Sequence, residues 1–172
     1  MAGGLSACVG NGVIIRNCMS SGVVTVNTSN EDLDYTPVGG LIGLISPLVD
    51  DGIIPSVENC FSTCSVSATN SSETYGVQAG GLIGVVDGHY SEDINPPTDR
   101  RCSITNCYSM GLVTATSAMY ASKGGLVAID RYGIYTSCYY DSETSGCSDT
   151  DKGTPKTTVE MKKKETYLNW DF

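Results

Sequence analysis

The chain of 172 residues carries 10 Lys and Arg against 19 Asp and Glu, a formal net charge of −9. Neutralising phosphates needs a basic face, so this balance argues against a nucleic-acid partner and against adsorption to an anionic membrane. No apolar run approaches the ~18 residues of a membrane span, and the opening residues lack the basic and apolar regions of a signal peptide.

Twenty Gly, with abundant Ser, Thr and Val and no long helical periodicity, favour short strands joined by turns. In chain order, "GGLSAC" at 3 leads to "IIRNCMSSGVVTV" at 14–26. "GGLIGL" at 39 leads to "SVENCFSTCSVSA" at 56–68, and "GGLIGV" at 80 to "SITNCYSMGLVTA" at 103–115. "GGLVAI" at 124 leads to "GIYTSCYYDSETS" at 133–145. Self-similarity at a spacing of roughly forty residues is the signature of stacked units. The chain opens directly on such a unit, so we expect a piece of a longer protein, with Met1 added in cloning.

The second block of each unit alternates. Cys18, Ser20, Val24 and Val26 share one parity, as do Cys60, Ser62, Val66 and Ala68, and Cys107, Ser109, Val113 and Ala115. Period 2 reads as a strand with one apolar face. Ile15, Val57 and Ile104 lie three residues before each Cys and break the parity, so a bend is expected at Asn17, Asn59 and Asn106. Asn tolerates tight turn geometry, and its amide can bond to the copies above and below. Gly-Gly before Leu fits a place where backbone passes close to backbone.

One such unit cannot bury its own apolar face, but a stack of them can. The expected fold is all-β: a parallel β-solenoid, helix-like or roll-like, of about four repeats over residues 1–152. Residues 153–172 then form a cap. Thr157 with Glu160 is a capping-box pair, which predicts a short helix over about 158–165, with Met161 and Trp170 on the core. The variable connectors 45–58, 69–78, 85–103 and 115–123 are read as lateral loops. The first rung is open, which predicts self-association through it.

Cys18, Cys60, Cys107 and Cys138 are expected to form an inward ladder of reduced thiols, since a buried free Cys behaves as a small hydrophobe. Disulfides Cys102–Cys107 or Cys138–Cys147 are the best exceptions. "CFSTC" at 60–64 lacks the spacing and the second pair of a zinc site. Asp87, His89 and Asp93 are the candidate ligands for a divalent cation, set against a bland reading as a solvated acidic loop. No cofactor motif is present. Met19, Phe61, Tyr108 and Tyr139 form an outward column: a candidate binding face for a sugar or protein, or a surface that packs under other parts of the chain.

"GGLIG" followed by "NCYSMGLV" resembles the GLUG repeat of bacterial surface and secreted proteins. Gly40-Leu41-Ile42-Gly43 and Gly81-Leu82-Ile83-Gly84 match its core, whereas Ala7 and Ala128 replace the last Gly in the first and fourth copies. The fourth also has Ser137 for Asn and Asp141 for Ser. The resemblance implies a non-enzymatic structural or adhesive module, located at the cell surface or secreted, that presents loops to a protein or glycan. It attaches no catalytic residue to the repeat. The alternatives are an accessory or spacer region of a secreted peptidase, and a glycan-active β-helix enzyme using Asp50, Asp51, Asp87 or Asp99 as its carboxylates.

Overall fold

A computed structural model of the chain describes residues 1–29, 35–47, 54–91, 98–167 and 170. Its alternating blocks form strands that pair across segments rather than within them. Ile14–Arg16, Ser56–Glu58, Ser103–Thr105 and Ile134–Thr136 make one four-stranded sheet in that order. Ser6–Val9, Ile42–Ile45, Ile83–Asp87 and Val127–Arg131 make a second. A third joins Met19–Ser20, Phe61–Ser62, Tyr108–Ser109 and Tyr139–Asp141. Val23–Thr28, Ser65–Asn70 and Val113–Ser117 form a three-stranded sheet. All of these pairings are parallel, and the protein is an all-β fold with few helices.

Register follows the sequence motif. Val24, Val66 and Val113 lie opposite one another, as do Gly3, Gly39, Gly80 and Gly124. Like residues therefore share one environment, and the inward apolar positions Ile15, Val57 and Ile104, and Val24, Val66 and Val113, meet one another. A single hydrophobic cluster results, with Leu41, Leu82, Leu126, Val57 and Ile104 wholly buried.

The Gly-Gly corners are required by space. A Cβ on Gly39, Gly80 or Gly124 would collide with the carbonyl oxygen of Ile42, Ile83 or Val127, three residues on. A Cβ on Gly40 would collide with Gly81 O and Ser62 Oγ. None of these glycines has a positive φ, so it is the close approach of backbone to backbone that selects them.

Several elements differ from the sequence expectation. Strands precede the corners, at Ala2–Gly3, Tyr35–Gly39, Gly76–Gly80 and Ala121–Gly124, and form a further parallel sheet. The connectors read as 69–78 and 115–123 therefore begin and end in strand, with short turns between. The 85–103 connector holds an antiparallel hairpin of His89–Ser91 with Thr98–Arg100. Part of 45–58 lies outside the described residues. The residue in register with Ser109 is Tyr140, and Asp141 follows it. Asp141 instead caps the one-turn helix Ser142–Ser145.

The capping box at Thr157 and Glu160 is present, but the α-helix ends after Thr158–Met161, and a 3-10 turn follows at Lys164–Thr166. Within that helix only Met161 is buried, so further turns would have no apolar face to cover. Thr154–Lys156 pairs with Tyr139–Asp141 and adds a fifth strand to its sheet, beyond residue 152.

Candidate functional site

The columns that the motif sets side by side are the structure's most regular feature. Asn17, Asn59 and Asn106 hold φ values of 54°, 53° and 52°, and Ser137 holds 51° in the fourth segment. This left-handed turn rotates the chain between two strands, which is why Ile15, Val57 and Ile104 and the following Cys all face the core. Asn and Asp tolerate the conformation better than other L-residues. Asn59 Nδ2 donates to Asn17 Oδ1 at 3.3 Å, and Asn106 Nδ2 to Asn59 Oδ1 at 3.1 Å.

Each Cys follows its turn. Cys60 and Cys107 have no exposed surface, Cys138 is buried, and Cys18 is partly exposed. The ladder runs through the backbone: Phe61 N–H donates to Cys18 O at 3.0 Å, Tyr108 to Cys60 O at 3.1 Å and Tyr139 to Cys107 O at 3.0 Å. The thiols donate to Glu58 O, Thr105 O and Ile104 O at 3.1, 3.2 and 3.3 Å. All eight cysteines are free, so neither Cys102–Cys107 nor Cys138–Cys147 is bonded.

The Cys107 thiol is pushed up by its hydrogen bonds with Cys138 and Cys60 and by burial. The same bonds lower its neighbours, Cys60 to about 7 and Cys138 in the same direction. Burial, then the charges of Asp130 and Asp87, raises Cys102 to about 12. Burial also raises Cys18 and Cys147.

The column Met19, Phe61, Tyr108, Tyr139 changes character along its length. Met19 is 59% exposed. The rings of Phe61 and Tyr108 stack at 4.8 Å and 3°. Past that point the C-terminal segment covers the column. Tyr167 packs on Tyr108 at 5.6 Å and on Tyr139 at 5.7 Å, and Trp170 lies 5.8 Å from Tyr108. Trp170 thus lies on the outward aromatic column instead of the core, whereas Met161 is buried. An indole fits here because aromatic faces gain from tilted packing. Burial raises the Tyr108 phenol and brings that of Tyr167 to about 12. Beside Tyr139 an open cleft of about 350 Å³ is lined in part by Tyr135, Ser137, Asp151 and Thr154.

Only part of the acidic connector lies within the described residues. Asp87 pairs with Arg131 at 3.1 Å, and the backbone of His89 pairs with that of Arg100. Asp93, Asp50 and Asp51 lie outside the described residues, and Asp99 stands opposite Tyr90 in the hairpin. Among the described residues no group of three His, Cys, Asp or Glu is placed to hold a metal ion.

The sequence reading gave no role to the buried hydroxyls. Ser20 Oγ donates to Gly40 O at 2.8 Å, and Ser109 Oγ to Gly125 O at 2.5 Å, fastening the Cys strands to the glycine corners. At the corresponding place Tyr140 lays its ring where a Cβ of Gly125 would be, and its hydroxyl donates to Asp149 O at 2.6 Å. Burial and the Asp149 charge push that phenol up. The shared parity of Ser20, Ser62 and Ser109 was the available signal, since a small polar residue repeated on an apolar face needs a partner there.

No family model matches the chain, and no solved structure matches it. A protein of Evansella cellulosilytica, provisionally named a Gly-rich membrane protein, is 32% identical over 123 residues. The match covers 68% of this chain and 12% of that relative. The chain therefore corresponds to a small part of that relative's length.

Proposed function

We propose that the parallel sheets are the faces of a β-solenoid of the GLUG type, and that it serves as a structural and adhesive module of a bacterial cell-surface or secreted protein. One observation carries the reading. Four segments keep strict register while the connectors between their blocks differ in length and charge. A scaffold that fixes geometry and varies its loops is built for presentation rather than for chemistry on the scaffold itself. The hairpin strands His89–Ser91 and Thr98–Arg100 and the partly open aromatic column are the surfaces presented to a protein or glycan.

A relative many times longer than this chain, with a name that refers to a membrane, supports a surface setting. The same difference in length favours a second reading, a spacer or accessory region of a larger secreted protein. A glycan and host-matrix array separates the two. The adhesive reading expects a ligand whose binding is lost when His89–Arg100 is replaced by a short turn, with thermal stability nearly unchanged. An array on which the intact chain binds nothing leaves the spacer reading alone.

A further inference from the structure

Phe61, Tyr108 and Tyr139 stand in register on neighbouring strands. They face away from the buried Ser62 and Ser109 that follow in the first two strands. The rings of Phe61 and Tyr108 lie 4.8 Å apart and 3° from parallel, so each covers a face of the other. Both residues are partly exposed, and what their stack leaves to the outside is ring edges. An aromatic ring is negative on its face and positive at its edge. The positively polarised C–H groups of a sugar seek a ring face, and here the next ring already holds it. A ring edge suits the face of another aromatic side chain.

The chain supplies such an occupant itself. Tyr167 meets Tyr108 at 56° and Tyr139 at 86°, and Trp170 meets Tyr108 at 42°. Local contacts shape this pair. Its rings lie 5.1 Å apart, the Tyr167 hydroxyl donates to Met161 O at 2.6 Å, and Trp170 N–H donates to Tyr167 O at 3.3 Å. Residues 162–165, which lead to it from the buried Met161, are exposed. A segment that carries its own hydrogen bonds and meets the sheet through its rings can be displaced without opening a strand.

We propose that the aromatic column is a groove for peptide segments with two aromatic side chains three residues apart, and that Tyr167 and Trp170 occupy it as a tethered competitor. This names a ligand class for the column as a presented surface, and it rests on that reading. A partner segment must displace the tethered pair, whose effective concentration is on the order of millimolar.

The probe is the peptide KKETYLNWDF, the sequence of residues 163–172. Trp170 is the only Trp of the chain, so in the variant Tyr167→Ala with Trp170→Ala the peptide alone gives Trp fluorescence. The peptide should bind this variant with a Kd below about 1 mM, and about tenfold or more tighter than it binds the parent chain. Adding Tyr108→Leu should abolish that binding, and cello- or chito-oligosaccharides should not compete for it. A second measurement keeps the C-terminal segment intact. In the full chain Tyr108→Leu retains an apolar side chain but removes the ring, and should shift Trp170 emission to the red and raise its quenching by acrylamide. Equal binding to parent and variant, binding to neither, or unchanged Trp170 emission in Tyr108→Leu would overturn the proposal. Displacement of the peptide by an oligosaccharide would overturn it too, while leaving the adhesive reading in place with a sugar as ligand. An empty glycan and matrix array removes the adhesive reading and leaves the peptide result untouched.

Discussion

The first and the last of the four segments carry the same motif and meet opposite surroundings. Leu126 of the last is wholly buried, while its counterpart Leu5 in the first is 51% exposed. In the middle segments Gly40 N–H donates to Gly80 O and Gly81 N–H to Gly124 O. At the last, Asp149 Oδ1 accepts from Gly125 N–H in place of a next segment's carbonyl. The comparison teaches that a strand edge becomes a finished end only when side chains supply both the hydrogen bonds and the apolar cover of one more segment.

Thiol chemistry gives the largest contrast. Cys8 is exposed and Cys18 partly so, both in the first segment, while the other six cysteines are buried. With an aromatic disulfide reagent, Cys8 should react at once and Cys18 soon after. The rest should lag by about a thousandfold or more, because they wait for an opening that costs several kcal/mol. All eight should react in denaturant. Fast labelling of Cys147 would show that the last segment is as open as the first.

Next in size is the leucine column. Leu82→Ala removes a fully buried side chain between two neighbours and should cost about 3–5 kcal/mol in denaturant unfolding. Leu126→Ala should fall in the same range if the C-terminal cover is tight. Leu5→Ala should cost about 1 kcal/mol or less, since half of that side chain is already in water. Equal losses at Leu5 and Leu126 would erase the distinction between the two ends. A smaller effect tests the finishing hydrogen bond itself. Asp149→Ala should cost about 1–2 kcal/mol and speed exchange of the Gly125 amide in particular.

Much of this contrast could be read from the sequence, and some could not. The repeated Asn-Cys and Gly-Gly-Leu words gave the strand partners, because a parallel in-register pair places like on like. The strands Tyr35–Gly39 and Gly76–Gly80 are not legible in the sequence because neither alternates: the described residues of both are buried on either face. The motif sets Asp141 rather than Tyr140 opposite Ser109, since an aromatic there makes sense only when the bare Gly125 beneath it is seen. As part of an end cap, Trp170 is expected on the core. Composition cannot tell an inner apolar face from an outer aromatic column, and Tyr108 and Tyr167 receive the indole there.

The smallest expected effect lies at the bare edge and depends on pH. Arg16 donates to Glu58 from Nε and Nη2, joining the first segment to the second. The hydrogen bond from Arg16 holds the Glu58 carboxyl below its ordinary range. A carboxyl lowered in the folded state stabilises the fold above its unfolded pKa, and that contribution is lost as pH falls through the folded value. Both side chains are partly exposed, at 57% and 33%, so solvent screening limits the pair to about 0.5 kcal/mol. Glu58→Gln should therefore lower stability slightly at about pH 7, match the parent chain near pH 3, and lose its effect in high salt. The loss should appear as faster amide exchange in Ile14–Arg16, with the exchange of Ile134–Thr136, at the far edge of the same sheet, unchanged. Equal changes at both edges would mean that the first segment does not open independently of the last.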